Sequence, residues 1–286
     1  MIRWKSIVLL ALVPAALAFA QGARKPAARP PPASAPQGQS AAAEEEKPPN
    51  PPRPLDAAKA ARGKVAYQRY CISCHGERGD GRGYSAPWLD PKPRDFTRAI
   101  FKCRSTPNGT LPEDKDLVRT LREGLYHTNM PSWAVLGDPW IHELIEYIKT
   151  FSPRWKEEGP GDPIKVVAEP PDDAASRDKG KKIWNAQACF NCHGQTGKGD
   201  GPSVPTLFDD WGYHDAPFDF TASPRRKCGA TDQDLYRTFL TGMNGTPMPS
   251  FAETISGEDA WHLVHFLKTL QTRNTEQGIF RFSMGP

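Results

Sequence analysis

The sequence predicts an all-α protein made of two tandem copies of one helical unit, with long Gly- and Pro-rich loops. Three observations support this fold class. A set of residues recurs at a fixed interval, each copy carries three stretches with apolar residues at helical spacing, and the intervals 76–112 and 194–230 contain no convincing strand. At 286 residues the chain is long enough for about two domains of roughly 100–150 residues each.

The repeat is defined by pairs of identical residues that lie 118 positions apart. The pairs are Cys71 and Cys189, His75 and His193, Leu117 and Leu235, Arg119 and Arg237, Thr120 and Thr238, Gly124 and Gly242, Met130 and Met248, Pro131 and Pro249, and Ser132 and Ser250. The segment Asp95-Phe96-Thr97 recurs as Asp219-Phe220-Thr221 at 124 positions, so the second copy has six extra residues in its first loop.

Cap-type residues mark the ends of the predicted helices. In the first copy, helices begin at Asp56 and Asp138, and a middle helix ends at Gly124. In the second copy the middle helix begins at Thr231, with an aspartate three residues later. The last helix begins near Ser256, again with an acidic residue three positions on. Each copy therefore contains at least three helices.

The N-terminal part of the chain and the junction between the copies differ in composition from the two copies. Arg3 and Lys5 precede an apolar run that ends in a small-x-small cleavage signal, which predicts a secretory leader and a periplasmic protein. That run of about 14 residues is shorter than the ~20 that a spanning helix needs, which favours a cleaved leader over an uncleaved membrane anchor. No later segment could span a bilayer, so we expect no membrane span in the mature chain. The expected segments are a signal peptide at 1–20, a Pro- and Ala-rich disordered linker at 21–55, a first domain at 56–155, an inter-domain linker at 156–175 and a second domain at 176–286.

The charge of the chain excludes some classes of partner. There are 37 basic and 33 acidic side chains, with a formal net charge of +4, and removal of the leader lowers this further. Such a balance provides no polybasic surface for nucleic acid or for an anionic membrane. The composition does not name a partner.

Four of the six cysteines lie in two motifs that each end in histidine, Cys71-Ile72-Ser73-Cys74-His75 and Cys189-Phe190-Asn191-Cys192-His193. On one helical turn, residues at i, i+3 and i+4 share a face, so both thiols and the imidazole are directed at the same object. A haem fits this arrangement, since the sulfurs can bond its two vinyl groups while histidine binds the iron. A zinc site would need a second pair of ligands, and a thioredoxin-like pair would need a βαβ setting. We therefore expect two covalent haem c groups, at Cys71 and Cys74 with His75 and at Cys189 and Cys192 with His193.

The iron of each haem needs a second axial ligand. Met130 and Met248 lie the same distance after their histidines, and both are followed by Pro-Ser. They are the expected ligands. His127 and Met243 are alternatives, although neither has a counterpart of a ligating type in the other copy. The remaining histidines without a histidine counterpart are expected to be ordinary polar or packing residues; they are His142, His214, His262 and His265.

With these motifs the chain resembles the class I cytochrome c family, specifically its tandem dihaem members, over about residues 56–155 and 176–272. The resemblance implies an all-helical fold wrapped around each haem, with the first helix packed against the last. Gly63 and Tyr67 should then meet Tyr147 in the first copy. Gly180 and Trp184 should meet Phe266 in the second. It also implies low-spin iron and one-electron transfer.

His/Met ligation occupies both axial positions of an iron, which favours an electron carrier over an enzyme. The expected function is one-electron transfer in the periplasm, either as a free protein or as a subunit of a respiratory complex, with redox proteins as partners. The alternative is an enzyme similar to dihaem thiosulfate dehydrogenases, in which Cys103 or Cys228 would bind iron. A dihaem peroxidase, which needs an open haem, resembles the chain less, and a structural or sensory haem module is a third class.

Cys103 and Cys228 follow the repeated Asp-Phe-Thr segments at nearly matching positions, and a lysine precedes each. If the copies pack about a pseudo-twofold axis, equivalent residues near that axis face each other. We therefore predict a disulfide between them. Two buried thiols and an iron ligand are the alternatives.

Overall fold

The computed structural model describes residues 50–271, so the predicted leader and most of the first linker lie outside the described residues. The described chain contains helices but no strand, and only isolated β-bridges occur. The α-helices are α1 (Ala57–Tyr70), α2 (Ile72–His75), α3 (Asp114–Glu123), α4 (Asp138–Lys149), α5 (Arg154–Glu157), α6 (Ala174–Ala186), α7 (Phe190–His193), α8 (Asp232–Thr241) and α9 (Gly257–Gln271). The predicted all-α class is confirmed. Below, repeat 1 denotes residues 56–155 and repeat 2 residues 176–271.

The predicted caps form at the ends of the long helices. The Asp56 carboxylate accepts a hydrogen bond from the backbone N–H of Lys59 at 2.9 Å. At α8, Thr231 and Asp234 form a reciprocal capping box, and α3 ends at Gly124 with a positive φ of 71°. The side chains of Asp56, Thr231 and Asp234 accept hydrogen bonds from N–H groups that have no partner within the helix.

The first and last helices of each repeat cross at a glycine. A Cβ atom on Gly63 would lie 1.9 Å from the carbonyl oxygen of Glu143, and one on Gly180 would lie 1.9 Å from that of His262. The close approach brings aromatic rings together, with 5.2 Å between the centroids of Tyr67 and Tyr147. In repeat 2 the rings of Trp184 and Phe266 are 5.9 Å apart. The contacts implied by the family resemblance are therefore present.

Each repeat has its own apolar core beside the cysteine motif. The core of repeat 1 includes the buried side chains Tyr67, Leu117, Leu121, Ile141, Leu144, Ile145 and Ile148. That of repeat 2 includes Trp184, Leu235, Phe239, Leu240, Trp261, Leu263, Val264 and Leu267. Both cores extend to the methionine that follows the motif, Met130 or Met248.

The segment between α5 and α6 is free of helix but is packed along its length. The Gly159 N–H donates to the Asn50 carbonyl at 2.7 Å, and the Ile164 N–H donates to the Ser105 carbonyl at 2.7 Å. Further on, the Trp261 indole donates to the Val167 carbonyl at 3.0 Å. The segment thus contacts both repeats. It belongs with them to one compact unit of the chain.

Within residues 50–271, the longest apolar helices fall short of what a bilayer crossing requires.

Candidate functional site

Each cysteine motif forms a single turn of helix shortly after the first long helix of its repeat. The His75 N–H donates to the Cys71 carbonyl at 2.9 Å, and His193 does the same with Cys189 at 2.9 Å. This turn places the two cysteines and the histidine of each motif on one face. Burial raises the pKa of the Cys71 thiol to about 12 and that of Cys189 to about 11.

Both motif histidines are held by the same backbone interaction. The Nδ1–H of His75 donates to the carbonyl of Arg94 at 3.0 Å, and that of His193 donates to the carbonyl of Phe218 at 3.1 Å. Because a carbonyl oxygen only accepts, Nδ1 carries the proton and Nε2 keeps its lone pair. Burial lowers the pKa of both imidazoles, which favours the neutral form that binds a metal.

Aromatic rings complete this side of each site. Phe96 stacks on the His75 ring with 4.5 Å between centroids, and Phe220 lies 4.9 Å from the His193 ring. Both phenylalanines belong to the repeated Asp-Phe-Thr segment. That repeat was visible in the sequence, but its role beside the histidine was not.

The methionine segments also fold alike. The Met130 N–H donates to the Thr128 hydroxyl at 3.0 Å, and the Met130 carbonyl accepts from Leu125 at 3.0 Å. The corresponding bonds of Met248 to Thr246 and Met243 are both 3.1 Å. Met243 therefore supports the Met248 turn through its backbone.

The backbone of each methionine segment packs closely against a glycine at the end of the preceding helix. A Cβ atom on Gly124 would lie 2.6 Å from the backbone of Pro131, and one on Gly242 would lie 2.6 Å from that of Pro249. Both glycines also have positive φ, which side chains other than glycine rarely adopt. The identical residues at these positions thus fix where each Met-Pro-Ser segment lies.

Repeat 1 contains a cavity with about 1220 Å³ of empty space, including its open mouth. Cys71, Cys74, His75 and Met130 all line it, together with apolar side chains. Its thiols, imidazole and thioether are the donor set of a covalent haem. The residues present therefore fit the haem that the motif implies.

The alternative ligand His127 lies elsewhere. Its side chain is exposed, and its Nε2 is 2.8 Å from the Arg225 carbonyl of repeat 2. The described residues that line the cavity of repeat 1 include Met130 but not His127. The geometry thus favours Met130.

Other histidines take part in structural contacts. The Nδ1 atoms of the buried His262 and His265 lie 2.7 and 2.6 Å from the Ser176 hydroxyl. The Nε2 of His265 lies 3.0 Å from a Glu169 carboxylate oxygen. His214 binds the Val204 carbonyl at 2.8 Å. These side chains tie α9 to α6 or close a loop.

The two repeats are joined by a disulfide between Cys103 and Cys228. An ion pair between Arg119 and Asp234 (2.5 Å) lies at the same interface, and the guanidinium of Arg104 donates to the Thr241 carbonyl at 2.6 Å. Cys103 also lines the cavity of repeat 1. The junction is therefore next to the first site.

The extra residues of repeat 2 form a loop that reaches repeat 1. This Trp211 loop, residues 207–215, is closed by a bond from Asp215 N–H to the Leu207 carbonyl at 3.0 Å. The Trp211 indole donates to the Asp95 carboxylate at 3.1 Å, and its ring lies close to Gly245 near the Met248 turn. Sequence comparison of the repeats located the insertion, but nothing in it predicted this contact.

Comparisons with known proteins agree with the geometry. The family model described as "Cytochrome C oxidase, cbb3-type, subunit III" matches the chain twice, over residues 58–148 and 175–267. The chain is also similar to a chain of the Kuenenia stuttgartiensis reducing HAO-like protein complex. The two share 37% sequence identity with a TM-score of 0.72, and the match covers 78% of this chain and 99% of the other. No curated protein matches the chain.

Proposed function

Since the chain belongs to the cytochrome c family described as cbb3-type oxidase subunit III, and is a haem electron-transfer protein, we propose that it carries two haem c groups and transfers single electrons between redox proteins of the periplasm. The observation that carries the proposal is the shared geometry of its two motifs. In both repeats the histidine is oriented through Nδ1 by a carbonyl at the same position, and a methionine turn follows at the same interval.

In this proposal the chain supplies attachment and orientation. Cys71 and Cys74 would hold the first haem through thioether bonds, and Cys189 and Cys192 would hold the second. A bound haem supplies an iron that changes by one electron between its ferrous and ferric states. The carbonyl acceptors keep each imidazole ring in one orientation, and they raise its basicity toward the iron.

Met130 and Met248 are the proposed second ligands of the iron. If His75 with Met130 held one iron, and His193 with Met248 the other, a substrate would have no free position to bind. The disulfide also supports the carrier over the thiosulfate dehydrogenase-like enzyme. A Cys103 or Cys228 sulfur bonded to another sulfur is not available as a thiolate ligand.

The setting is proposed on separate grounds. A disulfide is typical of an oxidising compartment, in agreement with export to the periplasm. The similar chain from Kuenenia stuttgartiensis belongs to a multi-protein complex, so we propose that this chain also works bound to a larger redox partner.

The proposal is tested on protein made in cells that attach haem c. The intact mass should exceed that of the mature polypeptide by two haem masses. Cys71→Ala and Cys189→Ala should retain haem through one thioether bond each, whereas Cys103→Ser, a matched cysteine outside the motifs, should retain both thioether bonds. The reduced protein should not bind carbon monoxide. A single haem per chain, or rapid carbon monoxide binding, would contradict the proposal.

A further inference from the structure

Two buried histidines of α9 and a buried serine of α6 form a cluster outside the cysteine motifs. The Nδ1 atoms of His262 and His265 lie 2.7 and 2.6 Å from the same Ser176 hydroxyl oxygen. On the other side of each ring, Nε2 of His262 lies 3.3 Å from a Glu258 oxygen, and Nε2 of His265 lies 3.0 Å from a Glu169 oxygen. One hydroxyl therefore links two imidazoles, each of which also faces a carboxylate.

The number of protons decides whether all four contacts of this cluster are hydrogen bonds. A carboxylate oxygen only accepts, so both Nε2 atoms need a proton. The hydroxyl donates its single proton to one Nδ1, and the other Nδ1 must then donate to the hydroxyl oxygen. Two neutral imidazoles carry two protons where three are needed. The cluster makes every bond only when it has taken up one additional proton.

Charged groups surround the cluster on the elements packed against it. Asp172 lies within electrostatic range of His265, and Lys268 pairs with Asp172 at 3.2 Å. The groups that face the cluster from α6, α8, α9 and the segment before α6 are the carboxylates Glu169, Asp172, Asp173, Asp232, Glu258 and Asp259 and the cations Arg177, Lys179 and Lys268. Among these described residues carboxylates outnumber cations. A second added proton would put positive charges on two rings whose centroids are 6.5 Å apart, so the cluster takes up one.

Repeat 1 makes the corresponding connection with a carboxylate and an arginine. Glu146 occupies the position equivalent to His265, since the next residues, Tyr147 and Phe266, are equivalent at the two helix crossings. Its buried carboxylate pairs with Arg53 of the segment before α1. Arginine keeps its charge throughout the physiological range of pH, whereas an imidazole typically changes its charge between about pH 5 and 8. Of the two connections, that of repeat 2 alone contains an imidazole.

The connection in repeat 2 holds the segment between the repeats. Glu169 lies in the segment 156–175, which also contacts repeat 1. We propose that Ser176, His262 and His265 form a proton-dependent contact that fastens this segment to α6 and α9 when one additional proton is bound. As the pH falls through the range in which histidine titrates, a proton from water binds an imidazole nitrogen and every contact becomes a hydrogen bond. As the pH rises, that proton returns to water, one of the four contacts is left without a proton, and the segment is held less firmly.

Hydrogen exchange of the full haem-loaded chain, read by mass spectrometry, tests this inference. Peptides that contain the amides of Val167 and Ala168 report on the segment. A peptide with the Asp56 amide, which donates to Glu146 at 2.8 Å, is the internal reference in repeat 1. After correction for the intrinsic pH dependence of exchange, protection of the segment should fall at least about tenfold between about pH 5.5 and 8, the factor expected for one hydrogen bond to a charged group. Protection of the Asp56 amide should not change.

Glu169→Gln is the decisive variant, because an amide both donates and accepts and therefore bonds to His265 in either protonation state. The Glu169 side chain is 44% exposed, so the exchange for glutamine does not disturb a core. This variant and His265→Gln should both lose the pH dependence of protection. His214→Gln is the matched control, since its imidazole bonds to the Val204 carbonyl outside the cluster, and it should retain the dependence.

Three results would overturn the inference. The first is equal corrected protection of the segment at both pH values in the wild-type protein. The second is a wild-type pH dependence in Glu169→Gln. The third is loss of that dependence in His214→Gln, or an equal change at the Asp56 amide, since either would show that the effect does not arise in the cluster.

Discussion

Gly63 offers a direct test of how the helix crossing supports the proposed haem site of repeat 1. An alanine Cβ at this position would lie 1.9 Å from the Glu143 carbonyl oxygen and 2.4 Å from its carbonyl carbon. Real Cβ atoms essentially never approach closer than 3.0 Å, so α1 and α4 would have to separate by about 1 Å. The obstacle is backbone, and no change of rotamer relieves it.

The expected cost follows from two opposing terms. Overpacking of this kind costs about 1–3 kcal/mol, whereas alanine gains about 0.5–1 kcal/mol over glycine within a helix. Because the clash is with backbone, we place Gly63→Ala at the upper end of that cost, with a net loss of about 2–2.5 kcal/mol. For a chain of this size that loss lowers Tm by roughly 4–10 °C.

Thermal unfolding of the haem-loaded protein measures this effect. Gln68→Ala, on the exposed face of the same helix, is the control and should leave Tm nearly unchanged. Because α1 leads directly into the cysteine motif, the signals of the first haem should also shift in Gly63→Ala. A variant as stable as the wild type, with unchanged haem signals, would refute the reasoning.

The remaining predictions concern the sulfur atoms. Met130→Ala and Met248→Ala should each remove about half of the weak far-red band of sulfur-bound ferric iron, and His127→Ala should leave it intact. Loss of the band in His127→Ala would show that the first site is assigned wrongly. Cys103→Ser/Cys228→Ser should lower the free energy of unfolding by up to about 4–5 kcal/mol, since the bridge closes a loop over a separation of 125 residues. Denaturant unfolding measures this, and equal stability with and without the bridge would contradict it.

The helices and the motif geometry could be predicted because their causes are local or repeated. Caps such as Asp56 and Thr231 act within a few residues, and the spacing of each motif sets its own face. The glycine crossings came from the family resemblance. The histidine acceptors were missed because Arg94 and Phe218 act through a backbone carbonyl, and any residue type supplies one.

Most contacts between the repeats could not be predicted from the sequence. The pairing of Cys103 with Cys228 followed from a symmetry argument, but the Trp211 loop breaks that symmetry and has no counterpart to compare. The segment 156–175 was identified as a linker from its prolines. Its composition did not reveal that it packs against both cores, because only distant residues such as Ser105 and Trp261 provide the partners.

That packed segment bears on how a duplicated domain loses its independence. Two copies joined by a loose tether can be separated again, and each remains a viable single-haem protein. Here the side chain of Ile164 packs against the core of repeat 2, while its backbone N–H is bonded to repeat 1. The Val167 carbonyl accepts a hydrogen bond from the Trp261 indole. Cutting the chain on either side of the segment would expose part of the core of one repeat to solvent. The two repeats therefore depend on each other, and we expect recombination at this junction to yield fewer folded single repeats than the sequence repeat alone suggests.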